Sequence, residues 1–196
     1  MSEITVMGLD PSIRHTGICV GRLILPQRRI IIDDLALIDT EKRSGKDVRQ
    51  NSDDLRRAEE IITQIEARIV KHKVAFAISE VPTGAQSARA AWMLGMAVAT
   101  LASLKLLRVP LIQVQPNETK LASVGSKTAT KQQIIDWAYD KFPDLPWLTH
   151  RASKHPHKLT ADNEHMADAV AVVHAGIETA QFQQAVALAF GMARAA

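Results

Sequence analysis

The chain has 196 residues, 46% of them hydrophobic, enough to bury one core and fitting a single domain over 1–196. A net charge of +3 and a pI of about 9.1 permit a polyanionic partner without requiring one. The lone cysteine, Cys19, excludes an intrachain disulfide framework and a Cys-based zinc site, and the uncharged run from Ala90 to Leu104 is too short to span a bilayer.

Three β-prone runs open the chain: Ile4–Leu9, Thr16–Leu25 and Ile30–Ile38. The first ends in Asp10, and Pro11-Ser12 breaks the extended chain before the second. Charged residues and Gly45 make 39–51 a loop. Leu55, Ile61, Ile62, Ile65 and Ile69 recur near the helical period and predict a helix over Ser52–Lys73. Val74–Ile78 is a short apolar run of the kind that forms a buried parallel strand, and it too leads into a carboxylate, Glu80.

Val81-Pro82-Thr83-Gly84 then breaks the chain before a long apolar helix, about Gln86 to Leu107, and Leu111–Val114 is a fifth strand. A helical turn after Pro116 carries Lys120, and a Gly-Ser-Lys-Thr loop precedes a helix from Lys131 to about Phe142. Thr130 and Gln133 have the spacing of a capping box at its start. An irregular, basic insert occupies 142–162, with Trp147, Arg151, Lys154 and Lys158 available for phosphate contacts or base stacking. A helix begins near Asn163, and an Ala-rich helical extension covers 176–196, with a break expected at Gly176. Met-Ser-Glu lacks the regions of a signal peptide, so a soluble cytoplasmic protein of a bacterial or phage-infected cell is expected.

Three hairpin-linked strands followed by alternating helices and strands predict a mixed α/β sheet with helices on both faces. A short right-handed crossover would make the first and fourth strands neighbours, so that Asp10 and Glu80 share one sheet edge. Asp168 adds a third carboxylate from a later helix, with His165 one turn before it on the same face. Oxygen-rich groups with one imidazole suit a hard divalent cation, Mg²⁺ or Mn²⁺. Two such ions can activate a water and stabilise a leaving oxygen in phosphodiester hydrolysis. Charge is asymmetric in the same sense: between Lys105 and Lys158, nine Lys or Arg stand against four Asp or Glu, the footprint of a polyanion binder.

Four ordered motifs carry a resemblance. They are Gly8-Leu9-Asp10-Pro11-Ser12 with Thr16-Gly17, Ile78-Ser79-Glu80-Val81 with Leu94-Gly95, Val124-Gly125-Ser126-Lys127-Thr128-Ala129-Thr130-Lys131, and His165-Met166-Ala167-Asp168-Ala169-Val170-Ala171. From Val6 to His174 the chain resembles the RuvC-type Holliday junction resolvases of the RNase H-like (retroviral integrase) superfamily.

The resemblance implies a five-stranded mixed sheet whose first three strands are antiparallel. It implies Asp10, Glu80, His165 and Asp168 as metal-binding catalytic residues, with two Mg²⁺ or Mn²⁺ ions per site. Lys120 and Lys131 match two DNA-contacting lysines of the family, and Lys127 lies in its basic loop. Arg14, in the turn after Asp10, is placed to approach the scissile phosphate. The implied partners are four-way junction DNA and a second copy of the chain, with no membrane.

Two departures stand out. His165 takes a position that is Asp in many members and His in some. Thr83 takes the position of a wedge Phe, and Thr cannot stack on bases, which widens the expected substrates to other branched DNA or RNA-containing duplexes. A non-catalytic junction-binding module and a sugar-kinase or actin-like ATPase are the readings from other classes. The first is disfavoured by three mutually repulsive carboxylates, the second by a chain with only one candidate motif.

Overall fold

The computed structural model describes residues 3–25, 27–150 and 158–195, with side chains through 189. Five strands, β1 (Glu3–Asp10), β2 (His15–Ile24), β3 (Arg29–Asp39), β4 (Phe76–Glu80) and β5 (Leu111–Val114), form one sheet in the order β3-β2-β1-β4-β5. β1, β2 and β3 are antiparallel, while β4 runs parallel to β1 and β5 parallel to β4. The helices are α1 (Gln50–His72), α2 (Ala88–Ala102), α3 (Pro116–Ser123), α4 (Lys131–Lys141), α5 (Asn163–Gly176) and α6 (Ala180–Ala195). The expected sheet and its two helical faces are therefore present.

The period of two along each strand sorts the core into two layers. Met7, Leu9, Ile18, Val20 and Ile38 pack with Ile61 and Ile65 of α1 and Ala97 and Leu101 of α2. Ile4, Val6, Cys19, Phe76 and Ile78 pack on the other face with α5, Ile134 and Ile135 of α4, and Phe182 of α6. Alternation continues to the strand ends. Asp10 shares a face with Ile4, Val6 and Gly8, and Glu80 shares one with Phe76 and Ile78, so both carboxylates belong to the α5 side.

Helix α5 is the most deeply placed helix, with Met166, Ala167, Ala169, Val170 and Val173 all buried against β1, β2 and β4. Its close approach depends on missing side chains. A Cβ at Gly8 would overlap the backbone oxygen of Ala169, and one at Gly17 would overlap that of His165.

Two expectations differ from the structure. The apolar helix ends earlier than expected, at Ala102, where a single tight turn, Ser103–Lys105, takes over. Only Ala97, Thr100 and Leu101 of α2 are buried; its first turns are exposed, with Arg89 and Trp92 donating to Asp54 of α1. Trp147 is no stacking residue: it is 8% exposed, and its Nε1 donates to the Phe142 carbonyl at 2.8 Å. Arg151 and Lys154 lie outside the described residues. The rest of the insert is clasped at its base. Thr149 pairs with Leu159, and the fully buried Asn163 accepts from the Leu148 amide at 2.9 Å and donates to the Leu148 carbonyl at 2.7 Å. The expected break after Gly176 separates α5 from α6.

Candidate active site

Asp10 ends β1 opposite Gly17 of β2, while Glu80 ends β4, one residue beyond the Leu9–Ser79 pairing. The two carboxylates thus sit side by side on adjacent parallel strands. α5 crosses above them, and its first two turns bring His165 and Asp168 down to the same edge. Asp10, Glu80, Thr119, Lys120, Lys131 and Asp168 line one cleft of about 160 Å³. A larger hollow of about 510 Å³ at the opposite sheet edge, beneath Leu101 and Leu104, has no acidic residue in its lining.

His165 Nδ1 lies 2.6 Å from Asp10 Oδ2, and the ionised carboxylate makes the ring nitrogen the donor. That hydrogen bond, the largest influence on the ring, holds the His165 pKa above its ordinary value against the effect of burial. His15 stacks on His165 with ring centroids 5.7 Å apart, and its own Nδ1 stands 3.6 Å from Asp39. Burial raises Glu80 above the usual carboxylate range, an effect partly offset by the Thr119 hydroxyl. Asp168 is pushed up to about 7, first by burial and then by the charges of Asp10, Glu164 and Glu80.

Three carboxylates and an imidazole around one partly buried cleft are a donor set that fits a divalent cation, whose charge would relieve the repulsion felt by Asp168. Among the described residues, no three His, Cys, Asp or Glu side chains already stand at metal-caging distances. The carboxylates share the cleft without being closed around a point, and one oxygen of Asp10 is engaged by His165.

Of the residues expected from the sequence, Asp10, Glu80, His165, Asp168, Lys120 and Lys131 are brought together. Arg14, Thr83 and Lys127 are exposed on the loops around the cleft and do not line it. One contributor, Thr119, was not anticipated, and Glu164, expected only as a substitute carboxylate for His165, takes another role. Thr119, buried beneath Glu80, carries no signal in a single sequence. Glu164, one position before His165 on a neighbouring helical face, ion-pairs with Lys131 and raises that lysine's pKa.

The β3-β2-β1-β4-β5 sheet with carboxylates ending its two central parallel strands, crossed by α5, is the RNase H-like architecture. Its fold is similar to that of solved RuvC-type Holliday junction resolvase structures. One solved structure of Thermus thermophilus RuvC, in complex with Holliday junction substrate, superposes with a TM-score of 0.64 at 18% identity, over 88% of this chain and 92% of that one. A second T. thermophilus RuvC structure gives 0.62 at 17% identity, again over 88% and 92%. The yeast mitochondrial Holliday junction resolvase Ydc2 gives 0.58 at 15% identity, over 88% of this chain and 77% of that one. At these identities the likeness is one of fold. No protein-family model and no curated protein sequence matches the chain.

Proposed function

We propose that this protein is a divalent-metal-dependent endonuclease that resolves four-way DNA junctions by paired phosphodiester hydrolysis, in recombination and repair. The observation that carries this reading is the convergence of Asp10, Glu80 and Asp168 with Lys120 and Lys131 in one cleft, at the edge of a RuvC-type fold. Two structural neighbours, a RuvC–junction complex and a mitochondrial junction resolvase, support the same substrate.

Asp10, Glu80 and Asp168, with His165 beside them, would hold Mg²⁺ or Mn²⁺, two ions in the fully loaded site. Bound there, the metal supplies an activated water and a Lewis acid for the leaving oxygen. Lys120 and Lys131 hold the backbone phosphate over the acids, a contact that positions DNA without reading its sequence. Lys131 must exchange Glu164 for that phosphate. His165 holds a proton at Nδ1 against Asp10, so it can pass one between carboxylate and solvent as DNA enters.

Two symmetric cuts need two sites related by a two-fold axis, which calls for a homodimer. Exposed on α2, Ala88, Ala91, Trp92, Gly95, Ala99 and Ala102 recur at helical spacing. Apart from Trp92 these residues are small, which lets two helices approach closely and supports α2 as the contact.

The test is cleavage of a synthetic mobile junction with Mg²⁺ or Mn²⁺. Paired nicks are expected, and Asp10→Asn should reduce cutting about 10³-fold, the loss of several kcal/mol of transition-state stabilisation, while junction binding survives. An intact junction with either metal would overturn the reading. Thr83 favours a second, broader reading. An exposed hydroxyl stands where a base-wedging aromatic would confer junction selectivity, so forks and other branched substrates should be cut within about tenfold of the junction rate.

A further inference from the structure

A second basic surface lies on the opposite flank of the carboxylates from Lys120 and Lys131. The loop between β3 and α1 carries Lys42, Arg43, Lys46 and Arg49 against Glu41 and Asp47, and all four cations are exposed. Arg14, also exposed, adjoins it through the Thr40 amide, which donates to the Arg14 carbonyl at 3.0 Å. Among the described residues none of these five cations is ion-paired. The cations just beneath them are: Arg56 with Asp53 and Glu60, and Arg57 and Arg89 with Asp54.

The loop leaves the catalytic edge of the sheet. Asp39, the last residue of β3, is paired in register with His15, which stacks on His165, which in turn bonds Asp10. In the strand order, Asp10 and Glu80 fall between β3, which feeds this loop, and β5, which feeds Lys120. Four interstrand spacings separate those outer strands, about 19 Å. At 3.4 Å of rise per nucleotide, that distance spans about five or six phosphates along one DNA strand.

The loop is also held in place from below. Asp53, 4% exposed, accepts the Arg43 amide at 3.1 Å, and the Arg56 guanidinium donates to the Glu41 carbonyl at 2.7 Å. Arg57, 4% exposed, donates to the Thr40 hydroxyl at 3.0 Å and to the Ile13 carbonyl at 3.0 Å. Burying charges is expensive unless each is paired and hydrogen-bonded. A merely solvated loop needs no such underlay; one that must present cations at fixed positions does.

We infer that Lys42, Arg43, Lys46 and Arg49, with Arg14, form a second DNA-backbone site that grips phosphates on the far side of the cut from Lys120 and Lys131. The inference rests on the nuclease reading above and extends it to the path of the DNA. The test is binding of a fluorescent four-way junction in EDTA, titrated at salt concentrations from 50 to 200 mM. It compares the parent with K42Q/R43Q/K46Q/R49Q and with a charge-matched control at the opposite sheet edge, K71Q/K73Q/K105Q/R108Q.

The loop variant should bind at least tenfold more weakly at 100 mM salt and lose about two from the slope of log affinity against log salt, while the control stays within twofold of the parent. Equal affinities for loop variant and control overturn the second site and leave the nuclease reading standing. A parent that binds no junction at all overturns both. Matching thermal midpoints among the three proteins exclude misfolding as the cause of a weakened variant.

Discussion

Asp168 is surrounded by carboxylates and largely buried, so its proton is held up to about pH 7, far above the ordinary 3.8. A group whose pKa is raised on folding contributes stability that is complete below its unfolded value and is lost as pH rises through the folded one. His165, raised by Asp10, has the same sign. The metal-free protein should therefore lose thermal stability as pH rises from about 4 to about 7 through Asp168, with His165 continuing the fall above 6.5. Mg²⁺ or Mn²⁺ should raise the melting midpoint by several degrees at pH 8 and by little at pH 5.5. Asp168→Asn should flatten both trends in a thermal scan.

His174 works in the opposite direction. Its Nε2 is buried without a partner among the described residues, between Trp137 at 5.2 Å and Phe142 at 6.0 Å, and burial lowers its pKa from 6.5 to about 4. The native state resists protonation that the unfolded chain accepts, so stability falls as pH drops from 6.5 to 4, by on the order of 3 kcal/mol. Subtracting the profile of His174→Phe from that of the parent should isolate this loss.

Among the elements, α5 decides whether the acids meet. Gly17 faces Asp10 across the hairpin and lies under the His165 carbonyl. Gly17→Ala should lift the start of α5, cost about 3 kcal/mol and separate His165 from Asp10. Denaturant unfolding measures the first effect, and cleavage should fall at least tenfold.

Much of this arrangement was legible beforehand because it follows from periodicity. Alternation along Ile4–Asp10 and Phe76–Glu80 fixes which face each acid takes, and a right-handed crossover makes the two strands neighbours. The Thr130–Gln133 capping box forms as its spacing predicts. What stayed hidden depends on tertiary contact. The composition of α2 does not reveal that its first turns are exposed, nor does an aromatic in a basic insert reveal that Trp147 turns inward. The buried Asp53, Asp54 and Arg57 sat in what looked like an ordinary charged helix face.

At the scale of the molecule, the exposed face of α2 bears on assembly. Among the described residues Gly95 has open space around it, so Gly95→Arg should disturb none of them and gain about 0.8 kcal/mol of helix propensity. In sedimentation velocity the parent should run as a dimer and the variant as a monomer. Paired junction cuts should become uncoupled single nicks. A parent that is monomeric at micromolar concentration would count against two-site resolution.

The clasp at Asn163 has an evolutionary and practical corollary. Because its amide group ties Leu148 directly to the threshold of α5, and Thr149 meets Leu159 just outside it, the chain re-enters α5 from a fixed gate. Sequence grafted between His150 and Lys158, whether a peptide tag or a foreign recognition module, should leave His165 and Asp168 in place, as the unchanged melting midpoint of such a graft would check. On the proposed nuclease reading, such a graft offers a way to redirect cutting to new addresses on DNA.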